Sequence, residues 1–283
     1  MNDAIEQLRA WEGRTESLTD SVALTPVRAL AAILGRDVEY RVGDELPVPA
    51  HWLYFLPATP QSELGEDGHP RRGGFLPPVP LPRRMWAASR IEFHRPLRIG
   101  DQISRISRIV AVTSKQGRSG SLVFVRVAHE IISRGSVAIA EEQDLVYRDA
   151  PSRGVAAASV AAPSAAAWTH EIKPDPLLLF RYSALTFNAH RIHYDRPYAM
   201  QVEHYPGLVV HGPLIATLLL DLLHTSAPLA RVRHFSFRAV MPLFDGARFL
   251  VCGKPDEAEP CAMQLWAQDD TGRLAMEAKA VLA

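Results

Sequence analysis

The chain has 283 residues, of which 47% are hydrophobic, so it can bury a core in one large domain or in two of about 140 residues. Lys and Arg together number 31, as do Asp and Glu, and this balance gives no overall field that would attract nucleic acid or an anionic membrane. The two cysteines, Cys252 and Cys261, fit a reducing compartment and do not resemble a disulfide framework or a CxxC metal site.

The N-terminal segment MNDAIEQLRAWEGR is acidic and mixed, and it lacks the apolar core of a signal peptide. The longest apolar run, GLVVHGPLIATLLLDLL, is interrupted by His211 and Asp221, which makes it too polar for a membrane span. We therefore expect a cytoplasmic globular protein that has neither nucleic acid nor a membrane as a partner.

The first predicted element is a helix in TPVRALAAILG. Thr25 is a suitable N-cap, Pro26 fits the first helical position, and Gly35 marks the end. Residues 56–84 follow, and their seven prolines and four glycines exclude regular structure. We expect a long ordered loop over a cleft; the alternative is a disordered surface insertion.

Two related strand-like segments indicate an internal duplication. The run SRIEFHRPLRIGDQI, residues 89–103, is echoed by RHFSFRAVMPLFDGARF, residues 233–249. Further β-like runs follow each copy, and in the last of them Leu274 and Met276 begin an alternation of apolar and polar residues. Such alternation predicts antiparallel sheet with one buried face. Residues 151–168, between the copies, have the Ala, Ser and Pro content of a linker.

A second helix is predicted where His211, Gly212 and Pro213 precede the run LIATLLLDLLHT. This helix is apolar on nearly every side, so we expect it to be buried and wrapped by a curved sheet. A helix followed by antiparallel strands thus occurs twice, which predicts a duplicated α+β fold.

The candidate chemistry is concentrated in FRYSALTFNAHRIHYDRPYAM, residues 180–200. Asn188, His190, His193 and Asp195 lie within eight residues of this segment. These side chains can bind a metal, cap turns, or transfer protons, and each of these roles requires a different arrangement of the side chains.

A metal site would use His190, His193 and Asp195, with His204 or His211 as a further ligand, because His-x-x-His can place two imidazoles on one helical face. However, Pro197, two residues after Asp195, shortens any helix there, and no HExxH motif accompanies these residues. The second alternative is structural, since Asn, Asp and His commonly cap turns and bond backbone groups in loops.

General acid–base catalysis accounts for more of the pattern. A neutral His193 can exchange a proton near neutrality, and the amide group of Asn188 can orient a water molecule. The Gly212 amide lies at the start of the apolar helix, where Pro213 donates no N–H, so it can hold a carbonyl oxygen that gains negative charge. Together these residues predict chemistry beside a polarised carbonyl.

The run YSALTFNAHRIHYDRPYA, followed by YPGLVVHGPLIATLLL, resembles the MaoC-like hydratase/dehydratase family. The usual family pattern is Ser-Gly-Asp-x-Asn-Pro-Ile-His, and then Gly and His-Gly-Met before a buried helix. The resemblance covers most of the chain and implies a tandem (double) hotdog fold of the α+β class, in which each half is a central helix wrapped by a curved antiparallel sheet. The implied parts are a degenerate N-terminal hotdog at residues 1–150 with the proline-rich loop 56–84, the linker 151–168, and a catalytic hotdog at residues 169–283.

In this resemblance the catalytic His of the family falls on His193, its Asp on Asn188, its Asn on His190, and its oxyanion amide on Gly212. An uncharged Asn188 cannot act as a carboxylate base. His193 is therefore expected to carry the proton transfer, and Asn188 to position water or substrate. The first half has no equivalent run, which implies one active site per chain.

The segment GGFLPPVPLPRRMWAASRIEFHRPLRIGD, together with the motif, is similar to the itaconyl-CoA and mesaconyl-C4-CoA hydratase branch, and also to the mitochondrial 3-hydroxyacyl-thioester dehydratases. The first branch implies hydration of a short, branched, dicarboxylic enoyl thioester to citramalyl-CoA, as in itaconate degradation. Coenzyme A is then part of the substrate, with no further cofactor and no metal. The alternatives are dehydration of 3-hydroxyacyl thioesters in fatty-acid synthesis and a non-catalytic acyl-thioester-binding module. A homodimer is possible but not required.

A second carboxylate on the substrate needs a cation, preferably an Arg that can form paired hydrogen bonds. Arg191 and Arg181 are the candidates within and before the motif. Arg191 and Arg181 can instead be solvated or pair with Asp195, and Arg83 and Arg84 can either approach the phosphates of CoA or face water. The remaining predicted substrate contacts are His190, Tyr194 and His211.

Overall fold

The computed structural model describes residues 2–117, 120–149 and 160–283. In these ranges ten strands form one antiparallel sheet: β1 (Thr15–Ser21), β2 (Arg83–Phe93), β3 (Gln102–Gly117), β4 (Gly120–Ser133), β5 (Ser136–Arg148), β6 (Trp168–Ile172), β7 (Val232–Ala239), β8 (Phe249–Pro255), β9 (Ala262–Asp269) and β10 (Leu274–Leu282). The α-helices are α1 (Asn2–Arg9), α2 (Leu24–Ile33), α3 (Pro176–Leu185) and α4 (Gly212–Ser226).

The order of the strands shows the duplication. It runs β1-β3-β4-β5-β2-β7-β10-β9-β8-β6, so the second five strands repeat the arrangement of the first five in reverse. β2 and β7, which overlap the two related sequence segments, pair at the centre with Ile91 opposite Phe235. The predicted tandem α+β architecture is therefore confirmed, and the two halves complete one sheet within a single chain.

Helix α4 forms the core of the second half. It packs against β6, β8, β9 and β10, and nine of its residues, between Leu214 and Leu223, are buried. The burial follows from the all-round apolar pattern that predicted it. Apolar as α4 is, none of the helices in the described ranges combines the length and hydropathy needed to cross a membrane.

Helix α2 starts earlier than predicted. Its N-cap is Ala23, which makes no side-chain capping bond, and Thr25 lies inside the first turn. Pro26 is tolerated there because the first amides of a helix have no helical acceptor. Gly35 has a φ of 66° just after the helix, as expected for a glycine that ends one. α2 packs mainly against α3 and against a 3-10 turn at Ala50–Leu53.

This packing leaves the inner face of the first half open to a large cavity. The cavity has a volume of 1440 Å³. Alternate residues of β4 and β5 line it: Val127, His129, Ile131, Glu141, Gln143, Leu145 and Tyr147. The proline-rich loop contributes much of the remaining wall, from Leu56 to Pro82. The loop is thus ordered over the cleft, although its last two predicted residues belong to β2, which begins at Arg83.

Of the predicted linker 151–168, the structure describes residues 160–168. Residues 151–159 lie outside the described residues. Beyond them, the carbonyl of Val160 accepts the Leu274 amide at 2.8 Å, and Ala161 bridges to Arg273. β6 begins at Trp168, the last residue of the predicted linker. The end of the linker segment therefore lies along the sheet of the second half.

Candidate active site

The cavity collects most of the predicted site residues. Asn188, His193 and Gly212, which are the three predicted catalytic residues, all line it. Five of the predicted substrate contacts line it as well: His190, Tyr194, His211, Arg83 and Arg84. The volume of 1440 Å³ exceeds the ~300–1,000 Å³ typical of ligand pockets, so a long substrate has room inside.

Asn188 is fixed in a turn that follows α3. Its backbone amide donates to the Ser183 carbonyl at 2.8 Å, and its Oδ1 accepts the His190 amide at 3.0 Å. Phe187, just before it, has a left-handed φ of 48° that redirects the chain. The Asn188 oxygen therefore bonds a backbone group in a turn, which was the structural alternative to catalysis. Its NH₂ group is the part left to donate to a water or to a substrate oxygen.

His193 lies in a 3-10 turn, with 8% of its surface exposed. Its Nδ1 is 2.8 Å from the Val209 carbonyl, which can only accept a hydrogen bond. Nδ1 therefore carries the proton, and Nε2 keeps a free lone pair. Burial lowers the pKa of His193 to about 4, against a smaller opposing effect of the bond to Val209. The ring is accordingly neutral at pH 7 and can accept a proton.

His211 joins the base to the start of α4. Its ring stacks on that of His193, with centroids 3.7 Å apart and planes 18° apart, and its Nε2 lies 2.8 Å from the Ser183 hydroxyl. His211 is the N-cap of α4, so the next amide, that of Gly212, lies at the positive end of the helix. Within the described residues the Gly212 N–H has no acceptor, which leaves it free for a carbonyl oxygen.

The proline-rich loop is attached to the motif through the backbone. The Arg191 amide donates to the Asp67 carbonyl at 2.9 Å, and its guanidinium donates to the Glu66 carbonyl at 3.0 Å. Gly68 has a φ of 87°, and a Cβ at this position would lie 1.8 Å from the Ala189 carbonyl oxygen. Only glycine allows this approach.

The docked loop adds two polar side chains that the sequence did not single out. Nδ1 of His69 lies 3.0 Å from Oδ2 of Asp67, and its ring centroid lies 4.0 Å from that of His190. The His190 centroid is in turn 5.3 Å from that of His193. A row of imidazoles therefore runs from His69 to His211. Burial is the main cause that lowers the pKa of both His69 and His190.

The metal set considered from the sequence is not brought together. Asp195 is held by Arg191 at 2.7 Å instead of facing the histidines of the motif. In the described part of the chain, the three side chains whose possible ligand atoms lie within 4.8 Å of one another are Asp67, His69 and His190. Two of these three come from the loop, so the motif alone could not have indicated the group.

The four predicted arginines have different surroundings. Arg181 is exposed on α3, Arg191 is held by its ion pair, and neither is part of the cavity lining. The prediction that these two contact the substrate is therefore not supported by their positions. Arg83 lines the cavity but is paired with Glu203 at 2.6 Å. Arg84 lines it too, and its side chain has no ion pair or hydrogen bond among the described residues.

A buried polar network forms another part of the wall, in the first half. Glu141 is 4% exposed and accepts hydrogen bonds from His51 at 3.1 Å, Trp52 at 3.1 Å and Ser89 at 2.6 Å. Burial raises the pKa of Glu141, but the hydrogen bond and charge of His51, together with the charge of His129 and the hydrogen bond of Ser89, outweigh it and lower the pKa to about 2. The network fixes Trp52, whose ring lies 5.1 Å from that of Trp86 on the cavity wall.

Comparison with known sequences supports the resemblance. The family model described as hydroxyacyl-thioester dehydratase type 2 matches residues 49–245. The chain is 50% identical over 273 residues to the mesaconyl-C(4)-CoA hydratase of Chloroflexus aurantiacus, covering 95% of each protein. It is 28% identical over 228 residues to the mitochondrial hydroxyacyl-thioester dehydratase type 2 of Schizosaccharomyces pombe, covering 71% of this chain and 75% of that protein.

Solved structures agree on the fold. A MaoC-like dehydratase superposes with a TM-score of 0.73 at 15% identity and covers 97% of this chain and 99% of its own. A Mycobacterium tuberculosis protein described as a double hotdog superposes with a TM-score of 0.57 at 14% identity, covering 99% and 98%. The tandem hotdog is therefore the fold of this chain, which belongs to the hydroxyacyl-thioester dehydratase type 2 family.

Proposed function

We propose that this protein reversibly hydrates a short, branched, dicarboxylic enoyl-CoA, converting mesaconyl-C4-CoA or itaconyl-CoA to citramalyl-CoA. Two findings support the proposal. The mesaconyl-C(4)-CoA hydratase relative shares half of its residues over nearly the whole chain. In addition, the cavity presents a neutral imidazole and a free helix-end amide to the same space.

On mesaconyl-C4-CoA, whose double bond joins the α- and β-carbons, the proposed reaction begins with activation of the thioester. Its carbonyl oxygen accepts the Gly212 N–H, which draws electron density away from the β-carbon. A water molecule, held by the NH₂ group of Asn188, adds its oxygen to that carbon and gives a proton to Nε2 of His193. The π electrons of the double bond pass into the thioester as an enolate. His193 then returns the proton to the α-carbon, so that H and OH have been added.

The observation that carries this mechanism is the hydrogen bond from His193 Nδ1 to the Val209 carbonyl. It fixes the tautomer whose Nε2 can accept a proton. Hydration changes no overall oxidation state, so the residues of the site can supply the chemistry, and coenzyme A enters only as part of the substrate. A homodimer remains a prediction, since the two halves already complete one sheet.

The test is a panel of four thioesters assayed with products identified by mass: mesaconyl-C4-CoA, itaconyl-CoA, crotonyl-CoA and a long-chain 2-enoyl-CoA. We expect the highest kcat/KM on a dicarboxylic member, with citramalyl-CoA as product. Preference for the long chain would instead favour a dehydratase of fatty-acid synthesis. This alternative follows from the similarity to the mitochondrial 3-hydroxyacyl-thioester dehydratases. Binding of the CoA esters without hydration of any of them would favour a non-catalytic binding module.

A further inference from the structure

One group of cavity side chains has no part in the proposed hydration. Asp67, His69 and His190 lie together, and Arg84 lines the same cavity. Arg84 is close enough for its charge to add to burial in lowering the pKa of His69 and of His190. It is half-buried, and among the described residues it has no partner. A guanidinium in this state favours an incoming anion.

We propose that Arg84, His69 and His190 bind the free carboxylate of the substrate, the one that is not part of the thioester. The inference rests on the proposed function, because only a dicarboxylic acyl group carries such an anion. It also supplies a cation for the second carboxylate, which Arg181 and Arg191 cannot do because neither lines the cavity.

The position of the group fits the chemistry of the acyl chain. In a mesaconyl-C4 thioester the carboxylate is attached to the β-carbon, so its oxygens lie roughly 2.4 Å from the atom that receives the hydroxyl group. The base and the carboxylate partner must therefore be neighbours. His190 satisfies this requirement, since its ring centroid is 5.3 Å from that of His193 and 4.0 Å from that of His69.

Three other cations of the cavity, Arg83, Arg72 and Arg105, are already engaged. Arg83 is paired with Glu203 at 2.6 Å, and Arg72 donates to two carbonyls of the loop. Arg105 lies 3.9 Å from Glu16, on the sheet of the first half. Among the described residues, Arg84 is consequently the cation that combines a missing partner with proximity to the histidine row.

Asp67 is a positioning residue for His69. Its Oδ2 bonds to Nδ1 of the ring and its Oδ1 accepts the His69 amide, both at 3.0 Å, so the ring is fixed with Nε2 free. Burial raises the pKa of Asp67, but the hydrogen bonds and charge of His69, together with the charge of Arg84, outweigh it and lower the pKa, so the carboxyl is ionised. An ionised Asp67 allows His69 to take up a proton when a second carboxylate arrives, and Nε2 can then donate to it.

The experiment compares two substrates across a set of variants. Values of kcat/KM are measured on mesaconyl-C4-CoA and on crotonyl-CoA, which lacks the second carboxylate, for the wild type, Arg84→Met, Arg84→Lys and His69→Gln. Arg148→Met is the matched control, because Arg148 also lines the cavity and has no partner among the described residues. Thermal melts confirm that each variant folds.

We expect Arg84→Met to lower kcat/KM on mesaconyl-C4-CoA by about 30-fold or more, as for a charge pair that loses one partner. The loss should be at least about ten times larger than on crotonyl-CoA. Arg84→Lys should recover part of it, and His69→Gln should show the same selectivity to a smaller extent. Arg148→Met should change both rates by one common factor. Equal losses on both substrates for folded Arg84→Met would overturn the inference.

Two further outcomes distinguish failure of the proposed function from failure of the carboxylate site. If the wild type hydrates neither thioester, the proposed function fails. The carboxylate site is then tested by calorimetric binding of mesaconyl-C4-CoA and crotonyl-CoA to the wild type and to Arg84→Met, where only the first should weaken. If Zn²⁺ binds the wild type stoichiometrically, raises its activity, and is lost in His69→Gln, the group is a metal site and the inference is wrong.

Discussion

His193 keeps its proton on Nδ1 because the Val209 carbonyl, 2.8 Å away, accepts a hydrogen bond from it. Nε2 is therefore the nitrogen that can accept a proton from water. The low pKa, about 4, makes it a weak base but a fully available one, since almost none of it is protonated at pH 7. The conjugate acid of a weak base is a strong proton donor, which favours return of the proton to the α-carbon.

The pH profile of kcat/KM on crotonyl-CoA, which lacks the second carboxylate and so does not require His69 to take up a proton, should show this pKa directly. The neutral ring is the active form, so activity is expected to be constant above about pH 5 and to fall at lower pH, with a midpoint near 4. Measurement requires a stopped assay between about pH 3.5 and 8, with re-assay at pH 7 to separate inactivation from titration. A midpoint near 6.5, the ordinary value for His, would contradict the burial of the base.

At this scale the sequence predicted the residues better than their contacts. The spacing of Asn188, His193 and Gly212 predicts a positioning amide, a base and a helix-end donor; all three line the cavity, and their roles stay predictions. The contacts between the loop and the motif, those of His69 with His190 and of Arg191 with Glu66, were not predictable. They depend on a loop that docks on the motif from more than a hundred residues away, and no local pattern encodes that contact.

Among the elements, the proline-rich loop depends on one close approach to the motif. Gly68 has a positive φ and sits where a Cβ would overlap the Ala189 carbonyl, whereas a Cβ added at Gly74, in the same loop, would have nothing within 4 Å. An alanine substitution at each glycine reduces the flexibility of the loop backbone, but only the one at Gly68 also blocks docking on the motif. Comparing the two variants therefore isolates the effect of docking.

Gly68→Ala should displace the loop from the motif, because the added methyl group cannot share space with the Ala189 carbonyl. We expect kcat/KM to fall at least about tenfold, since about 1.4 kcal/mol of lost positioning has that effect. Gly74→Ala should change it by less than about twofold. Both are measured by steady-state kinetics with the preferred thioester. Equal rates in the two variants would show that the docked loop is not needed.

The sequence predicted the strands and α4 because alternation and all-round apolarity reflect local burial. It placed the start of α2 incorrectly, since Thr25 and Pro26 looked like an N-terminus but lie within the first turn. It also gave no sign that α2 would pack on α3 and leave the first-half sheet open. That outcome is decided by tertiary packing, which overrides the local signal.

Across the whole molecule, ionisable groups are buried in both halves. Glu141 is 4% exposed in the first half, and His193 is 8% exposed in the second. Their pKa values are lowered to about 2 and about 4, from 4.5 and 6.5. In each case the unfolded chain binds protons at a higher pH than the folded chain, so stability is complete above the unfolded pKa and is lost as pH falls toward the folded value.

The free energy of unfolding should therefore decrease as the pH is lowered from 6.5 to 4 through His193, and from 4.5 to 2 through Glu141. Each group contributes a slope of about 1.4 kcal/mol per pH unit in its window. Urea unfolding at about pH 7, 5.5 and 4.5 measures the first window. The decline should be shallower in His193→Gln, and an unfolding free energy that is constant across this range would be inconsistent with these buried groups.

The role of His193 as the base is tested most directly by the turnover of mesaconyl-C4-CoA in His193→Gln, with the exposed His170→Gln as control. Glutamine can still donate to the Val209 carbonyl but has no basic nitrogen. We predict that kcat falls by about 10²–10⁴ in folded His193→Gln and stays at the wild-type value in His170→Gln. Wild-type turnover by His193→Gln, with an unchanged melting temperature, would contradict this role.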